Sequence, residues 1–238
     1  MSPLLEPKDQ AKNMAESNPQ PTQKKKARKK NRNSSDISLI LHTQTAANFF
    51  KQSWFYENAG LRRFSRTTQL LWAAVKKGDP YAEWHLMQIY DAIGAWQESF
   101  EVFEKHYETY LHQKRGFEVI LFDNPEPFRF GLQFSNPFAY LGAQLFADVD
   151  YALRQSYTLR KIGILLPDDC LPYPLMSQLR HLFEQGSDWQ YTGITREDIQ
   201  QYNQKAKKAE EKMGKLPEVV LNREIKFGLL PKTFPKEH

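Results

Sequence analysis

The sequence predicts a mainly α-helical protein that contains one short, well-defined β-strand. Apolar residues recur every three to four positions along most of the chain after residue 37, which is the period of an amphipathic helix. Residues 128–135 instead alternate strictly between apolar and polar side chains, which is the period of a strand. Of the 238 residues, 40% are hydrophobic, so the chain is long and apolar enough to bury an ordinary core.

Residues 37–116 are predicted to form a helical bundle. The pattern is helical from Ile37 onward, and glycines separate four amphipathic stretches at Gly60, Gly78 and Gly94. Asp79 and Pro80 predict the start of the third helix, because an aspartate caps free N–H groups and a proline at the first helical position loses no hydrogen bond. The fourth helix is expected to stop at the basic residues before Gly116.

The period changes to two after residue 116. Residues 117–122 form an apolar run of strand type, and residues 123–127 are rich in turn formers. In residues 128–135, three phenylalanines and a leucine occupy one face, and Arg129, Gly131, Gln133 and Ser135 occupy the other. This alternation is the clearest in the chain.

Helical periodicity returns at Asn136, which is a suitable N-cap before Pro137. That helix is expected to run to about Ile162, and a shorter one spans residues 175–185. A capping box at Thr195–Asp198 predicts an exposed helix up to Met213. We therefore divide the chain into a disordered basic tail (1–36), the bundle (37–116), a strand–helix–helix part of the same globular body (117–190), and an exposed helix with a C-terminal arm (191–238).

The positive charge is concentrated in the tail. The chain carries a formal net charge of +5, but residues 1–35 hold nine Lys or Arg against three acids. Such a segment repels itself and cannot bury a core, so we expect it to be disordered. Its densest block could neutralise DNA phosphates without reading sequence. The candidate phosphate-contacting residues are Lys24, Lys25, Lys26, Arg28, Lys29, Lys30 and Arg32.

Several classes of protein are disfavoured. Cys170 is the single cysteine, so no internal disulfide forms, and the six histidines show no zinc-binding spacing. No apolar run approaches the ~20 residues needed to span a bilayer, and the N-terminus does not resemble a secretory signal. We expect a cytoplasmic protein that is not an enzyme and needs no metal or cofactor.

The polar face of residues 128–135 suggests DNA binding. A short strand followed at once by a capped helix is typical of ribbon-helix-helix proteins, in which two protomers each donate one strand to a ribbon in the major groove. Arg129 could contact guanine and Gln133 adenine, while Gly131 allows close approach and Ser135 completes the base-contacting face. The helix that starts at Asn136 could contact a phosphate.

Two alternatives stay open on pattern alone. Residues 117–122 and 128–135 could form a hairpin within one chain, which would leave Arg129 and Gln133 as ordinary surface residues. The stretches 79–92 and 96–111 look like one tetratricopeptide-type helical hairpin, although such repeats need about three units to be stable. The chain could therefore be a helical interaction or assembly module that touches nucleic acid only through its tail.

A family resemblance favours the first hypothesis. The segments Leu41–Thr43, Asp79–Trp84, Phe130–Tyr140 and Ala147–Asp150 resemble the AcaB-like transcriptional regulators, which are encoded on conjugative plasmids and integrative conjugative elements. The resemblance covers about residues 37–185. It implies a bacterial, nucleoid-associated and homodimeric DNA-binding activator of conjugative transfer genes with a ribbon-helix-helix-type element. Its partners would be double-stranded promoter DNA and, for activation, RNA polymerase.

Overall fold

The computed structural model describes residues 37–55, 60–112, 116, 118–164 and 172–222, and the predicted basic tail lies outside them. The chain order of the elements within these residues is β1 (Ile37–Leu41), α1 (Gln44–Phe55), α2 (Leu61–Val75), α3 (Pro80–His112), β2 (Phe128–Leu132), α4 (Pro137–Lys161), α5 (Tyr173–Glu184), α6 (Arg196–Gln200), α7 (Gln204–Met213) and α8 (Glu218–Leu221). The prediction of a mainly helical protein is confirmed.

The first described residues form a strand, so the expectation that the helical pattern begins at Ile37 is wrong. The sequence of β1, ISLIL, is rich in β-branched residues, which favour a pleated, half-buried surface. Ile40 interrupts the apolar–polar alternation and made this strand hard to recognise. The strand ends at Leu41. Thr43 then caps α1, because its hydroxyl oxygen accepts the Ala46 N–H at 3.1 Å.

β2 pairs with β1 of its own chain in an antiparallel, two-stranded sheet. The register places Ile37 opposite Leu132, Leu39 opposite Phe130 and Leu41 opposite Phe128. The predicted strand is therefore present, but its ribbon forms within one protomer and not from one strand of each of two chains. The open alternative of a hairpin with residues 117–122 is also wrong, because β1, about ninety residues away in sequence, supplies the partner.

Residues 118–122 run beside α4 without entering the sheet. The hydrogen bonds that a neighbouring strand would supply come from α4 side chains. The Phe122 N–H donates to Oγ1 of Thr158 at 2.7 Å, and Nε of Arg154 donates to the Phe122 carbonyl at 2.7 Å. An apolar run of strand type thus becomes an extended segment, since its backbone groups are satisfied by a helix surface.

α3 is one continuous helix of 33 residues, which corrects the prediction of two helices that break at Gly94. The predicted cap is confirmed, because Oδ1 of Asp79 accepts the N–H groups of Tyr81 and Ala82. Trp96, two residues beyond the glycine, is buried and donates its indole N–H to the carbonyl of Leu175 at 2.9 Å. Tertiary packing thus holds the helix through the glycine, and the tetratricopeptide-type hairpin does not form.

The main core lies between α1, α2, α3, α4 and α5. Phenylalanine rings from four elements pack against one another at its centre: Phe50, Phe64, Phe146 and Phe183. The inner face of the sheet continues this core, because the rings of Phe130 and Phe50 lie 4.5 Å apart. The helices thus form the support on which the ribbon rests.

The C-terminal elements form a smaller core on the first turns of α3. Tyr81, Ile194, Ala206, Ala209, Leu216 and Val220 are buried together. The capping box is confirmed, but the predicted single helix up to Met213 divides into α6 and α7 at Tyr202, whose φ of 48° ends the first helix. An ion pair between Arg196 and Glu83 ties this part to α3.

Candidate nucleic-acid interface

The two faces of the β1–β2 sheet differ sharply. Its inner face is apolar and packs on the helices, with buried or half-buried Leu39, Leu41, Phe128, Phe130 and Leu132. Its outer face is exposed and carries Ser38, Ile40, Arg129 and Gly131. The register places Ser38 opposite Gly131 and Ile40 opposite Arg129. The outer face is therefore low in relief, with the guanidinium as its longest side chain.

The structure leaves all four predicted base-contacting residues exposed. Arg129 and Gly131 lie on the outer face of β2, as the alternation predicted. Gln133 and Ser135 follow the strand in the segment that leads to α4, so they extend beyond the paired ribbon. The four residues share one continuous stretch of surface, but only two of them belong to the sheet.

Gly131 is not required by the backbone or by packing. Its φ is not positive, and a Cβ atom built there would have no heavy atom within 4 Å. A glycine inside a strand lowers stability because it adds conformational entropy to the unfolded chain and packs nothing. Its presence therefore keeps this part of the outer face low, which is what close approach of another surface needs.

Asn136 joins three elements at the end of the ribbon. Its side-chain oxygen accepts the Ala139 N–H at 3.0 Å and caps α4, as predicted. Its amide nitrogen donates to the carbonyl of Ser65 in α2 at 3.3 Å. Because Asn136 is buried and its side chain is used in these contacts, a phosphate here would meet backbone N–H groups and not the side-chain amide.

Asp150 holds the other strand in place. This carboxylate is 3% exposed and accepts three hydrogen bonds, from the His42 N–H and the Thr43 N–H at 2.8 Å and from the Thr43 hydroxyl at 2.7 Å. The turn between β1 and α1 is therefore fixed to the middle of α4. Asp150 therefore lies inside the fold and not on a solvated edge of the helix.

Asp148 has a different environment, half-buried on α4. Burial raises the pKa of this carboxyl to about 7, and the nearby Glu104 on α3 adds to the rise. The two aspartates therefore do not act as a pair, since residues two apart on a helix lie on different faces. Within the described residues, no group of three or more His, Cys, Asp or Glu side chains converges to hold a metal ion.

A polar network lies at the end of the ribbon where β1 ends and β2 begins. Asp123 contacts Nδ1 of His42, just after β1, and forms an ion pair with Arg154 of α4 at 3.6 Å. These contacts connect the segment before β2 with the residue after β1. Both ends of the ribbon are thus attached to α4, so its position on the helices is fixed.

Sequence reasoning missed Ser38 and Ile40, because β1 was not expected to be a strand. The available signal was the alternation of three apolar residues within five, at positions 37, 39 and 41. The apolar Ile40 between two of them concealed this alternation.

None of the helices in the described ranges is long and apolar enough to cross a membrane. The predicted phosphate contacts between Lys24 and Arg32 lie outside the described residues.

Comparison with known proteins adds a family and a fold. The family model described as "Transcriptional regulator AcaB" matches residues 33–231, which is most of the chain. The crystal structure of selenomethionine-containing AcaB from uropathogenic E. coli is similar, with a TM-score of 0.56 and 12% sequence identity over 80% of this chain and 96% of that chain. No curated protein sequence gives a significant match.

Proposed function

The chain belongs to the AcaB family of transcriptional regulators, and we propose that it regulates transcription by binding promoter DNA through the β1–β2 ribbon. The observation that carries this proposal is the asymmetry of the sheet. Its apolar face is sealed on the helical core, while its outer face exposes Ser38, Arg129 and Gly131 with little relief. A two-stranded ribbon of this kind fits the major groove of B-DNA, which is about 12 Å wide.

Each residue of the outer face has a role that follows from its chemistry. The Arg129 guanidinium offers two donors to O6 and N7 of guanine, which is the commonest specific contact in the major groove. Gly131 lets the backbone approach the base edges. Gln133 would contact adenine, and Ser135 and the opposing Ser38 would supply hydroxyl contacts to either base. The N-terminal N–H groups of α4, beside Asn136, would meet a phosphate.

The regulator is proposed to act as a homodimer that activates conjugative transfer genes on a mobile element. The family resemblance supports this biological setting, in which RNA polymerase is the further partner. The ribbon needs no second chain, so two protomers would place two complete ribbons on neighbouring half-sites. Within the described residues β2 has no second neighbour, so its free edge is one place where two copies could meet.

An Arg129→Ala variant tests the ribbon as the element that reads sequence. The operator is first obtained by selecting bound duplexes from a random-sequence pool with the full-length protein. Loss of a bidentate guanine contact should weaken operator binding by about 1–3 kcal/mol and leave binding to scrambled DNA nearly unchanged. The measurement is a fluorescence-anisotropy titration of both duplexes at fixed salt, because affinities at different salt concentrations are not comparable.

The matched control is Lys208→Ala, which removes one positive charge from an exposed position on α7. It should affect both duplexes equally and weakly. Equal weakening of operator and scrambled DNA by Arg129→Ala would show that the arginine contributes charge but not sequence recognition. Failure to select any preferred duplex would contradict the proposed function itself.

A further inference from the structure

Three segments in and beside the ribbon contain no acidic residue, whereas Asp123 and Glu126 precede β2 and Asp150 of α4 contacts the β1–α1 junction. Residues 37–55, 61–78 and 127–147 contain no Asp or Glu, although the chain as a whole contains 28. The same three segments contain seven cations: Lys51, Arg62, Arg63, Arg66, Lys76, Lys77 and Arg129. By contrast, α3 carries six carboxylates and one lysine. The near-neutral charge of the body thus hides a strong separation of charge between its elements.

Some of these cations lie near the start of β2 and near the segment that follows it. Lys51 on α1 is exposed, and its ammonium lies 5.5 Å from the ring centre of Phe128, the first residue of the strand. At the other end, Asn136 donates to the carbonyl of Ser65, which lies on α2 between the exposed Arg62 and Arg66.

The spacing of these two groups suits a DNA duplex. From Phe128 to Asn136 the chain advances eight residues, which at about 3.3 Å per residue is at most ~26 Å. One turn of B-DNA is about 34 Å long, so both groups can reach the backbone within one helical turn.

The positions of Arg62 and Arg66 do not stabilise α2 itself. Both lie in the first two turns, near the positive end of the helix dipole, and the first turn holds no acidic residue to offset them. Within the described residues neither side chain forms an ion pair that would neutralise its charge. Because they are spaced by four residues, they lie on the same face of the helix and can meet one anionic surface together.

We propose that Lys51, Arg62 and Arg66 are phosphate contacts that hold a DNA duplex across the ribbon. This proposal rests on the proposed function, because it assigns the backbone contacts that position the base-reading face. It differs from the tail hypothesis in naming cations on the folded body. These three residues should contribute affinity without sequence preference, since phosphates carry no sequence information directly.

The test is the salt dependence of DNA binding by the full-length protein and by the double variant Arg62→Gln/Arg66→Gln. Binding to the selected operator and to a scrambled duplex is titrated at several salt concentrations. Each lost phosphate contact should lower the slope of log affinity against log salt by about 0.9, so the double variant should lose about 1.8. The ratio of operator to scrambled affinity should stay unchanged.

The charge-matched control is Lys208→Gln/Lys212→Gln, two exposed residues one turn apart on α7, which should leave the slope unchanged. Far-ultraviolet circular dichroism and thermal melting verify that each variant folds. A wild-type salt slope in the arginine variant would overturn the proposed phosphate contacts and leave the ribbon proposal standing. Wild-type protein that shows no preference between duplexes would overturn the proposed function, while a reduced slope in the variant would still support the phosphate contacts.

Discussion

Asp150 shows how much of the candidate interface depends on one buried residue. Its carboxylate lies in the middle of α4 and satisfies two backbone N–H groups and one hydroxyl at the β1–α1 junction. These donors are far from Asp150 in sequence, by more than one hundred residues. They belong to Leu41–Thr43, which with Ala147–Asp150 is among the segments on which the family resemblance was based. The structure brings these two segments into direct contact.

Asp150→Asn should lower the free energy of unfolding by about 2–4 kcal/mol. The amide removes the negative charge and turns an NH2 group toward backbone donors, so at least one buried N–H group loses its acceptor. Urea-induced unfolding followed by circular dichroism measures the effect. Because β1 is fixed through this carboxylate, operator affinity should also fall.

Asp148→Asn is the control, since it makes the same chemical change two residues earlier. Burial raises the pKa of Asp148 to about 7, so its charged form is disfavoured in the folded protein. A raised carboxyl pKa lowers stability as the pH rises from about 4 toward 7. The variant should therefore be neutral at pH 4 and stabilising at pH 8. Equal destabilisation by both substitutions would contradict a specific role for Asp150.

The helix caps were predictable from the sequence, because each involves only neighbouring residues. The caps at Asp79, Asn136 and Thr195 were predicted and are confirmed, because each cap acts on N–H groups two or three residues ahead. The partner of Asp150 was not predictable in this way. A contact between residues 43 and 150 depends on how α4 packs under β1, and no local pattern encodes that.

At the scale of elements, strand β2 and the helices were predictable because their periodicity is clear. Strand β1 and the continuous α3 were not. Five residues are too few to reveal a period when one of them, Ile40, breaks the alternation. Gly94 resembles a helix stop in sequence, but a glycine ends a helix only if nothing holds the following turn. Here buried Trp96 and its bond to Leu175 hold that turn.

Gly94→Ala tests the continuity of α3. Alanine is favoured over glycine inside a helix by about 1 kcal/mol, and a Cβ atom at Gly94 would meet no heavy atom within 4 Å. The substitution should therefore raise the free energy of unfolding by about 0.5–1 kcal/mol in urea denaturation.

Gly142→Ala is the informative comparison for this variant. A Cβ atom there would lie 3.0 Å from side-chain atoms of Leu61 and Phe64 and 3.2 Å from Phe183, so that variant should be destabilised. If Gly94→Ala also destabilised the protein, the glycine would have a role that a continuous helix does not explain.

At the scale of the whole molecule, the sequence suggested a basic tail joined to a nearly neutral body. The structure refines this view, because α1, α2 and β2 carry cations and no carboxylates, whereas α3 carries six carboxylates and one lysine. The net charge of the chain could not reveal this separation, because it sums charges that the fold places on different elements. Two basic regions could therefore contribute to DNA affinity, one in the tail and one on the folded body.

Deletion of residues 1–35 separates these two contributions and also tests the rival hypothesis of an assembly module. The deletion leaves β1 intact, because that strand begins at Ile37. If all seven cations between Lys24 and Arg32 contact phosphate, the salt slope should fall by up to about 6. Operator and scrambled duplexes should weaken by similar factors, because the tail carries no base-reading element.

The preference for operator over scrambled DNA should survive the deletion, since it resides in Arg129 and its neighbours on the folded body. An assembly module that touches nucleic acid only through its tail would instead lose all DNA binding. Combining the deletion with Arg62→Gln/Arg66→Gln makes the distinction quantitative. If tail and body contact separate phosphates, the two reductions in slope should add, because counterion release depends on the number of phosphates neutralised.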